Sequence, residues 1–190
     1  MEFLTLSWRS LHTSTYKLAE KIIKSGEQFD LIVGIARGGL TISHMLSDFL
    51  NGLPIATFTV ASYHDLKQLD TAEISFKIGN RLHDKRVLLV DNVSDTGKTF
   101  IRGITYLKEL DCPMIKTASP YIKAWTKFVP DYYVISTKKW IIYPFDIKEN
   151  IDILVRKYKE KKITETQIRK KLMQLKLPKE YISRFAHQTI

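Results

Sequence analysis

The chain has 190 residues, 44% of them hydrophobic, which is enough for one domain with an appendage built on a single main core. Its apolar runs fall well short of the roughly 18 residues that a membrane-spanning helix needs. Residues 1–10 lack the basic and apolar segments of a secretory signal. Cys112 is the one cysteine and cannot form an internal disulfide, so we expect a cytoplasmic protein without a membrane partner.

The formal net charge of +10 is unevenly distributed. Residues 151–190 carry eleven Lys and Arg against four Asp and Glu, whereas the first 150 residues carry nineteen against sixteen. The body is nearly balanced, so its charge does not favour nucleic acid as a partner. The basic tail has two explanations at this point: an oligomerisation or packing element with solvated lysines, or a surface that binds nucleic acid.

In chain order, the pattern predicts a helix over residues 10–24 that ends at Gly26, a strand over 30–36, a helix over 39–51 and a strand over 54–62. A polar, weakly periodic segment follows over 63–80. Next come a strand over 87–90, a helix over 100–110, and strands over 114–121 and 132–136. Alternating strands and helices predict an α/β fold with a doubly wound parallel sheet, which binds ligands at the carboxyl ends of its strands.

Helical periodicity resumes near Glu149. Helices are predicted over residues 151–161, over 164–175 with Thr164 as the cap, and over 179–188 with Pro178 in the opening turn. We therefore expect a body over residues 1–149 and a basic helical C-terminal extension over 150–190.

The most informative stretch is VLLVDNVSDTGKT at residues 87–99, which joins the apolar strand to a helix through a polar turn. Such a turn aims backbone N–H groups and the helix dipole at a phosphate. Asp91 and Asn92 at the end of the strand suit the hydroxyls of a sugar phosphate. Residues 97–99 also match the end of the nucleotide-binding loop G-x-x-x-x-G-K-[ST], but that motif requires a glycine where this chain has Asn92.

The stretch resembles the phosphoribosyl-diphosphate (PRPP) signature of the type I phosphoribosyltransferases. Residues 31–40 (LIVGIARGGL) resemble the family's diphosphate-binding strand and turn. Lys123, residues 131–134 (DYYV) and residues 140–146 (WIIYPFD) resemble the base-binding end of the xanthine-guanine, or 6-oxopurine, branch. The resemblance covers residues 30–146 and implies the type I fold, with a small hood from Ser62-Tyr63 that closes over PRPP.

The resemblance implies purine salvage: transfer of the ribose-5-phosphate group of PRPP to guanine, xanthine or hypoxanthine, giving the nucleoside monophosphate and diphosphate. Mg²⁺ is the implied cofactor, and a homodimer or homotetramer is the implied assembly. The PRPP-binding residues would be Arg37, Gly38, Gly39, Asp91, Asn92, Ser94, Asp95, Thr96, Gly97, Lys98 and Thr99. The base-binding residues would be Lys123, Trp140 and Ile141, and the metal-binding residues would be Asp91 and Asp146.

Individual roles follow from the same resemblance. Asp95 would be the catalytic carboxylate, beside the imidazole nitrogen of the purine. Lys123 would favour a 6-oxo group because an ammonium only donates hydrogen bonds. Trp140 would stack on the base, and the backbone of Ile141 would contact its 2-position. In the family the diphosphate turn often contains a cis peptide, so the bond between Ala36 and Arg37 is expected to be cis.

One residue departs from the family pattern. The family usually has two acids after the signature strand, and the second is Asn92 here. An amide can still bond a ribose hydroxyl, but it brings no negative charge to a metal. This leaves two alternatives open: a regulatory protein that keeps the PRPP fold and binds nucleic acid through its basic tail, and an enzyme for another acceptor such as a pyrimidine or adenine. Ser94 and Asp95 could also be ordinary helix caps.

Overall fold

A computed structural model describes residues 2–61, 73–79 and 81–188. Internal contacts divide the chain into two compact units. The larger unit is His12–Lys138, and the smaller unit combines Met1–Leu11 with Lys139–Ile190. The predicted boundary at residue 149 stays a prediction.

The described residues form elements in the following order. They are β1 (Phe3–Thr5), α1 (Trp8–Lys24), β2 (Leu31–Ala36), α2 (Gly38–Phe49), β3 (Ile55–Ala61), β4 (Glu73–Ser75), β5 (Arg86–Val90), β6 (Val93–Ser94), α3 (Lys98–Glu109), β7 (Met114–Lys123), β8 (Tyr132–Thr137), β9 (Trp140–Ile142), α4 (Ile147–Glu160), α5 (Glu165–Gln174) and α6 (Lys179–Gln188).

A mostly parallel sheet forms the centre of the larger unit. Its strand order is β4-β3-β2-β5-β7, with β8 on the far side of β7 and β6 beside the later residues of β7. Only the β3–β4 pairing of this described sheet is antiparallel. Val90 pairs with Ala118 and Val93 with Tyr121, so β5 and β6 follow β7 in one continuous register. The predicted α/β fold with a doubly wound parallel sheet is confirmed.

The central strands are apolar because both faces of the sheet are covered. Val87, Leu88, Leu89 and Val90 are all fully buried. Helix α3 approaches the sheet closely at Gly103, where an added Cβ would lie 3.1 Å from both the Leu89 and the Phe58 side chains. On α1, Ser14 accepts a buried 3.0 Å hydrogen bond from the Tyr121 hydroxyl. These contacts fix the strands whose carboxyl ends carry the predicted site.

Differences from the predicted elements are confined to short or polar segments. Strands β1, β6 and β9 are two or three residues long, too short for periodicity to indicate them. Helix α4 begins at Ile147 rather than at residue 151. Its polar first turn looks like a loop in the sequence, but Asn150 there bonds back to Asp146. The predicted hood begins at Ser62-Tyr63, outside the described residues, and β4 pairs antiparallel with β3.

The smaller unit has its own apolar core. Strand β1 pairs in parallel with β9, with Phe3 opposite Trp140 and Thr5 opposite Ile142. Ile142 packs with buried residues of the three C-terminal helices, which are Ile151, Leu154, Val155, Ile168, Leu172, Leu177, Ile182 and Ala186. Thr164 caps α5 in a capping box with Gln167, as the sequence predicts for Thr164. No helix in the described ranges is long and apolar enough to cross a membrane.

An ion pair joins the beginnings of the two central strands. The Asp30 carboxylate accepts hydrogen bonds from Arg86 N at 2.8 Å, Nε at 2.9 Å and Nη2 at 2.8 Å. Hydrogen bonds from the Arg86 side chain and backbone hold the pKa of Asp30 well below its usual value of 3.8. A carboxyl with a depressed folded-state pKa stabilises the fold above its unfolded pKa and loses that effect as the pH falls.

We therefore expect Asp30→Asn to lower the thermal unfolding midpoint by a few degrees at pH 7. The difference from wild type should shrink as the pH falls below about 4, because the wild-type carboxyl then begins to protonate in the unfolded chain. Melting curves between pH 7 and pH 3 measure this. The control is Asp111→Asn, which removes an exposed ion pair with Arg81 at a positive-φ position that Asn tolerates. A difference between wild type and Asp30→Asn that does not vary with pH would contradict the prediction.

Candidate active site

Two strand ends meet through a pair of glycines. Arg37, Gly38 and Gly39 follow β2, and Asp91 follows β5. An added Cβ on Gly39 would lie 2.4 Å from the Val90 carbonyl oxygen and 3.0 Å from Asp91 Cα. The turn therefore touches the backbone at the end of β5, an approach that only glycine permits. The peptide bond between Ala36 and Arg37 is cis, as predicted.

Gly38 makes the matching approach to Asn92. A Cβ there would lie 2.3 Å from Asn92 Oδ1, so the Asn92 amide rests directly against the turn. Arg37 is exposed at the same turn. The structure thus brings together the predicted diphosphate turn and the predicted ribose-binding residues within the larger unit.

The sequence predicts that strand β5 emerges at the surface at Asp91. In the structure, Asp91 is more enclosed than that. Only 8% of the residue is exposed. Burial raises the pKa of Asp91 to about 7, although a 2.8 Å hydrogen bond from Asn92 N to Asp91 Oδ1 opposes the shift. A buried carboxyl of this kind favours a partner that supplies hydroxyl hydrogen bonds or positive charge.

The loop after β6 leads directly into α3. Gly97 is the N-cap residue of α3, with φ at 87°, and has no side chain to cap the helix. The nearest substitute is a long 3.4 Å hydrogen bond from Lys98 N to Thr96 Oγ1. Lys98 and Thr99 form its first turn, and Ile101 N donates to Gly97 O at 3.1 Å. The first amides of a helix have no carbonyl partner within the helix, and the dipole makes that end electropositive. This end of α3 can bind an anion.

Ser94 and Asp95 are not the caps of α3, because both bond to the segment after β7. Ser94 Oγ donates to Phe128 O at 2.7 Å and shares a 3.0 Å hydrogen bond with Thr126 Oγ1. Lys127 N donates to Thr96 O at 3.3 Å. The simpler interpretation of Ser94 and Asp95 as helix caps is therefore wrong.

Phe128 explains why residue 97 is glycine. A Cβ at position 97 would lie 2.4 Å from Phe128 Cβ and 2.8 Å from Phe128 N. The Phe128 ring stacks on Phe100 of α3 with centroids 5.4 Å apart. The segment after β7 thus presses the loop against the helix. No motif in the sequence indicated this contact.

Asp95 is held by a residue that sequence analysis missed. Trp125 Nε1 donates a 2.8 Å hydrogen bond to Asp95 Oδ1. The Lys123 ammonium lies 5.4 Å from the centre of the Trp125 ring. Lys123 is only 6% exposed, and burial lowers its pKa while the Asp95 charge opposes that shift. The predicted catalytic carboxylate and the predicted purine-binding lysine therefore share one tryptophan.

The remaining predicted residues belong to the smaller unit. Trp140 N donates to Glu2 O at 2.9 Å, and Leu6 N donates to Ile142 O at 2.9 Å. Because backbone groups alternate along a strand, the amide and carbonyl of Ile141 face away from β1. Asp146 is half-buried at the start of α4, and its Oδ1 accepts a 2.9 Å hydrogen bond from Tyr143 N. Burial raises the pKa of Asp146 to about 6.

Comparison with known proteins identifies the family. The phosphoribosyl transferase domain family matches residues 7–152. The chain belongs to this family. A xanthine-guanine phosphoribosyltransferase from Idiomarina loihiensis is 28% identical over 144 residues, which is 75% of this chain and 86% of the relative.

Solved structures of phosphoribosyltransferases share this fold. A purine phosphoribosyltransferase from Pyrococcus horikoshii has 40% identity and a TM-score of 0.69, covering 76% of this chain and 94% of that one. The Helicobacter pylori xanthine-guanine-hypoxanthine phosphoribosyltransferase has a TM-score of 0.70 over 78% of this chain and 97% of that one, but at 18% identity it shows the fold alone. The protein is a phosphoribosyltransferase enzyme of the type I fold.

Part of the block that resembles the purine branch of the phosphoribosyltransferases is structural. Asp131 Oδ2 accepts hydrogen bonds from Thr117 N at 2.8 Å and Thr117 Oγ1 at 2.6 Å, and Asp131 N donates to Thr117 Oγ1 at 2.9 Å. These bonds tie the start of β8 to β7. Asp131 therefore positions β8 against β7.

The donor set fits a magnesium ion that is bound mainly by substrate. Among the described residues, no group of three or more His, Cys, Asp or Glu side chains could hold a metal ion alone. Mg²⁺ in phosphate chemistry needs only one or two protein carboxylates, because phosphates and waters fill its other positions. Asp91 would supply one such carboxylate, and Asn92 beside it would offer an amide oxygen in place of a second carboxylate.

Substitution of Gly39 gives a direct test of the close approach between the turn and β5. Gly39→Ala should cost about 1–3 kcal/mol in the free energy of unfolding, because the methyl group would overlap the Val90 carbonyl oxygen and neither backbone can move without disturbing the sheet. Urea denaturation measures the loss. Gly79→Ala is the control, since a Cβ at residue 79 would have no neighbour within 4 Å. Equal stability of the two variants would contradict the close approach.

Proposed function

We propose that this phosphoribosyltransferase transfers the ribose-5-phosphate group of PRPP to a 6-oxopurine (guanine, xanthine or hypoxanthine), releasing diphosphate and the nucleoside monophosphate. The purine substrate is supported by the names of its relatives, which include xanthine-guanine phosphoribosyltransferases from Idiomarina loihiensis and Cereibacter sphaeroides. Assembly as a homodimer or homotetramer stays a prediction.

One observation carries the proposal. Gly38 and Gly39 bring the β2 turn against Asp91 and Asn92, and α3 begins at Lys98 on the loop that follows. A turn with a cation, a pair of oxygen-bearing side chains and an uncapped helix start are together what a ribose carrying two phosphate groups requires.

The phosphate groups of PRPP are assigned to separate segments. The 5′-phosphate binds the amides of Thr96, Gly97, Lys98 and Thr99 and the two threonine hydroxyls. The diphosphate binds the amides of the Arg37–Gly39 turn and the Arg37 guanidinium. Asp91 and Asn92 bind the ribose hydroxyls. Ser94 acts through its hydrogen bond to Phe128 O, which fixes the loop that carries these amides.

Asp95 is the proposed catalytic residue. When the bond to diphosphate breaks, positive charge develops at the anomeric carbon, and a carboxylate nearby stabilises that charge. The same carboxylate can take the proton that the purine imidazole nitrogen loses as the new bond forms. The Trp125 indole holds Asp95 through its N–H and contributes no proton of its own at neutral pH.

The base-binding roles follow the family pattern. Lys123 donates to the 6-oxo group, and its burial makes that donation selective because an amino group at the same position would leave two donors opposed. Trp140 stacks on the base. The Ile141 backbone, which faces away from β1, bonds the purine 2-position.

Mg²⁺ is the proposed cofactor, since the family generally uses it with PRPP. Bound Mg²⁺ neutralises the leaving diphosphate. Asp91 would hold it in the larger unit, and Asp146 in the smaller unit is the second proposed carboxylate. Asn92 offers its side-chain oxygen without a charge, so we propose that substrate oxygens provide most of the metal's ligands.

An acceptor panel tests the proposal. Incubation with PRPP, Mg²⁺ and each of guanine, xanthine, hypoxanthine, adenine and uracil should release diphosphate and nucleotide with one or more 6-oxopurines only. Chromatography of nucleotides and an assay of diphosphate measure the outcome. Product from adenine or uracil alone would assign another acceptor. No product with any of the five bases would refute the proposed acceptor class.

Substitution of Asp95 separates catalysis from binding. Asp95→Asn should lower kcat by about 100-fold or more and change the PRPP dissociation constant by less than about threefold, because the amide keeps the size but loses the charge and the base. Trp125→Phe keeps Asp95 and removes only its hydrogen bond, so its kcat should fall by about tenfold or less. Turnover by Asp95→Asn at the wild-type rate would refute the catalytic role.

A further inference from the structure

A buried amide on α4 holds the indole of Trp140. Asn150 is only 4% exposed. Its Oδ1 accepts a 2.7 Å hydrogen bond from Trp140 Nε1, and its Nδ2 donates to Asp146 Oδ1 at 2.8 Å and to Asp146 O at 3.1 Å. Both ends of the amide are used, so its orientation is fixed. The opposite orientation would place an amide N–H₂ against the indole N–H and an amide oxygen against a carboxylate.

Trp140 is thereby attached at two points. Its backbone lies in β9 opposite Phe3 and donates to Glu2 O at 2.9 Å. Its indole N–H is bonded to Asn150, which removes rotamers that the strand alone would permit. Even so, 37% of the residue stays exposed. The side chain is therefore both fixed and accessible.

We infer that Asn150 is a positioning residue for base binding, which holds the Trp140 indole in the plane in which it stacks on the purine. This inference rests on the proposed role of Trp140. A stacking ring contributes most to affinity when no rotamer has to be selected on binding, since ordering a side chain costs free energy. Helix α4, at the start of the segment predicted to be an extension, is then part of the base-binding apparatus.

The test is a double-mutant cycle with steady-state kinetics. Asn150→Ala removes the acceptor, and Trp140→Phe keeps an aromatic face but removes the N–H donor. Each should raise the KM for the preferred purine by about five- to tenfold, the loss expected for one hydrogen bond. Trp140→Phe leaves Asp146 untouched and should change the KM for PRPP by less than about twofold, whereas Asn150→Ala also removes a hydrogen bond to Asp146 Oδ1, so the comparison of the two variants is made on the KM for the purine. Because both variants break the same bond, the double variant should be no worse than the poorer single variant.

Two controls separate positioning from stability and from the proposed function. Val155→Ala leaves a cavity in the core below the same helix, and it should lower the unfolding midpoint without changing the KM for the base. Trp140→Ala should raise that KM more than either single variant, because it removes the stacking face.

Several outcomes would overturn the inference. An unchanged KM in Asn150→Ala, beside a raised KM in Trp140→Ala, would reject the positioning role and keep the stacking role. An equal rise in Val155→Ala, or additive effects in the double variant, would assign Asn150 to stability alone. An unchanged KM in Trp140→Ala would reject the base-binding role of Trp140, and the inference would fall with that part of the proposed function.

Discussion

The site depends on the close contact between the Arg37–Gly39 turn and the end of β5. The missing Cβ of Gly39 allows it, since a side chain there would overlap the Val90 carbonyl, and Gly38 leaves room for the Asn92 amide. The contact fixes the first turn of α2 relative to Asp91, because Gly39 belongs to that helix. Under the proposed function, ligand groups at the two strand ends would be held at a distance that the contact between Gly39 and the Val90 backbone sets, which is a rigid support.

The loop before α3 is held mainly by side-chain hydrogen bonds to the segment after β7, whereas the Arg37–Gly39 turn is held by a close backbone contact. The side chains of the loop are directed mainly toward the segment after β7, where Ser94 bonds Phe128 O and Asp95 bonds Trp125. At the helix start, Thr96 Oγ1 accepts a long hydrogen bond of 3.4 Å from Lys98 N, and the N-cap residue Gly97 has no side chain to cap with. An uncapped helix start is a local cost, because amides there have no intrahelical partner. Gly97 is constrained further, because it lies against Phe128 and its φ is 87°. An unfavourable local arrangement of this kind is expected where backbone amides bind a ligand.

The sequence specified most of the sheet and less of the site's support. Val87–Val90 are apolar on both faces, so a buried parallel strand was predictable, and Arg37-Gly38-Gly39 and Asp91 fell at strand ends as expected. Trp125, Phe128 and Asn150 were missed because their partners lie in other elements: Trp125 bonds Asp95, and Asn150 bonds Trp140. Periodicity reports which face of an element is buried, but it does not report which distant polar group a side chain meets. Strand β9 was not predicted because it is only three residues long.

The basic tail packs as part of the smaller unit. Helices α4, α5 and α6 bury one apolar stripe each, and Ile142 of β9 lies in the same core. The solvated faces of these helices carry basic residues, among them Lys159, Lys170 and Lys179. Such exposure is expected where the apolar residues of short helices pack into a core. The charge surplus of residues 151–190 thus lies on the exposed faces of a packed unit, and what those faces bind stays a prediction. Because α4 supplies Asn150 to Trp140, the start of this unit belongs to the proposed base-binding site as well as to the core of the C-terminal helices.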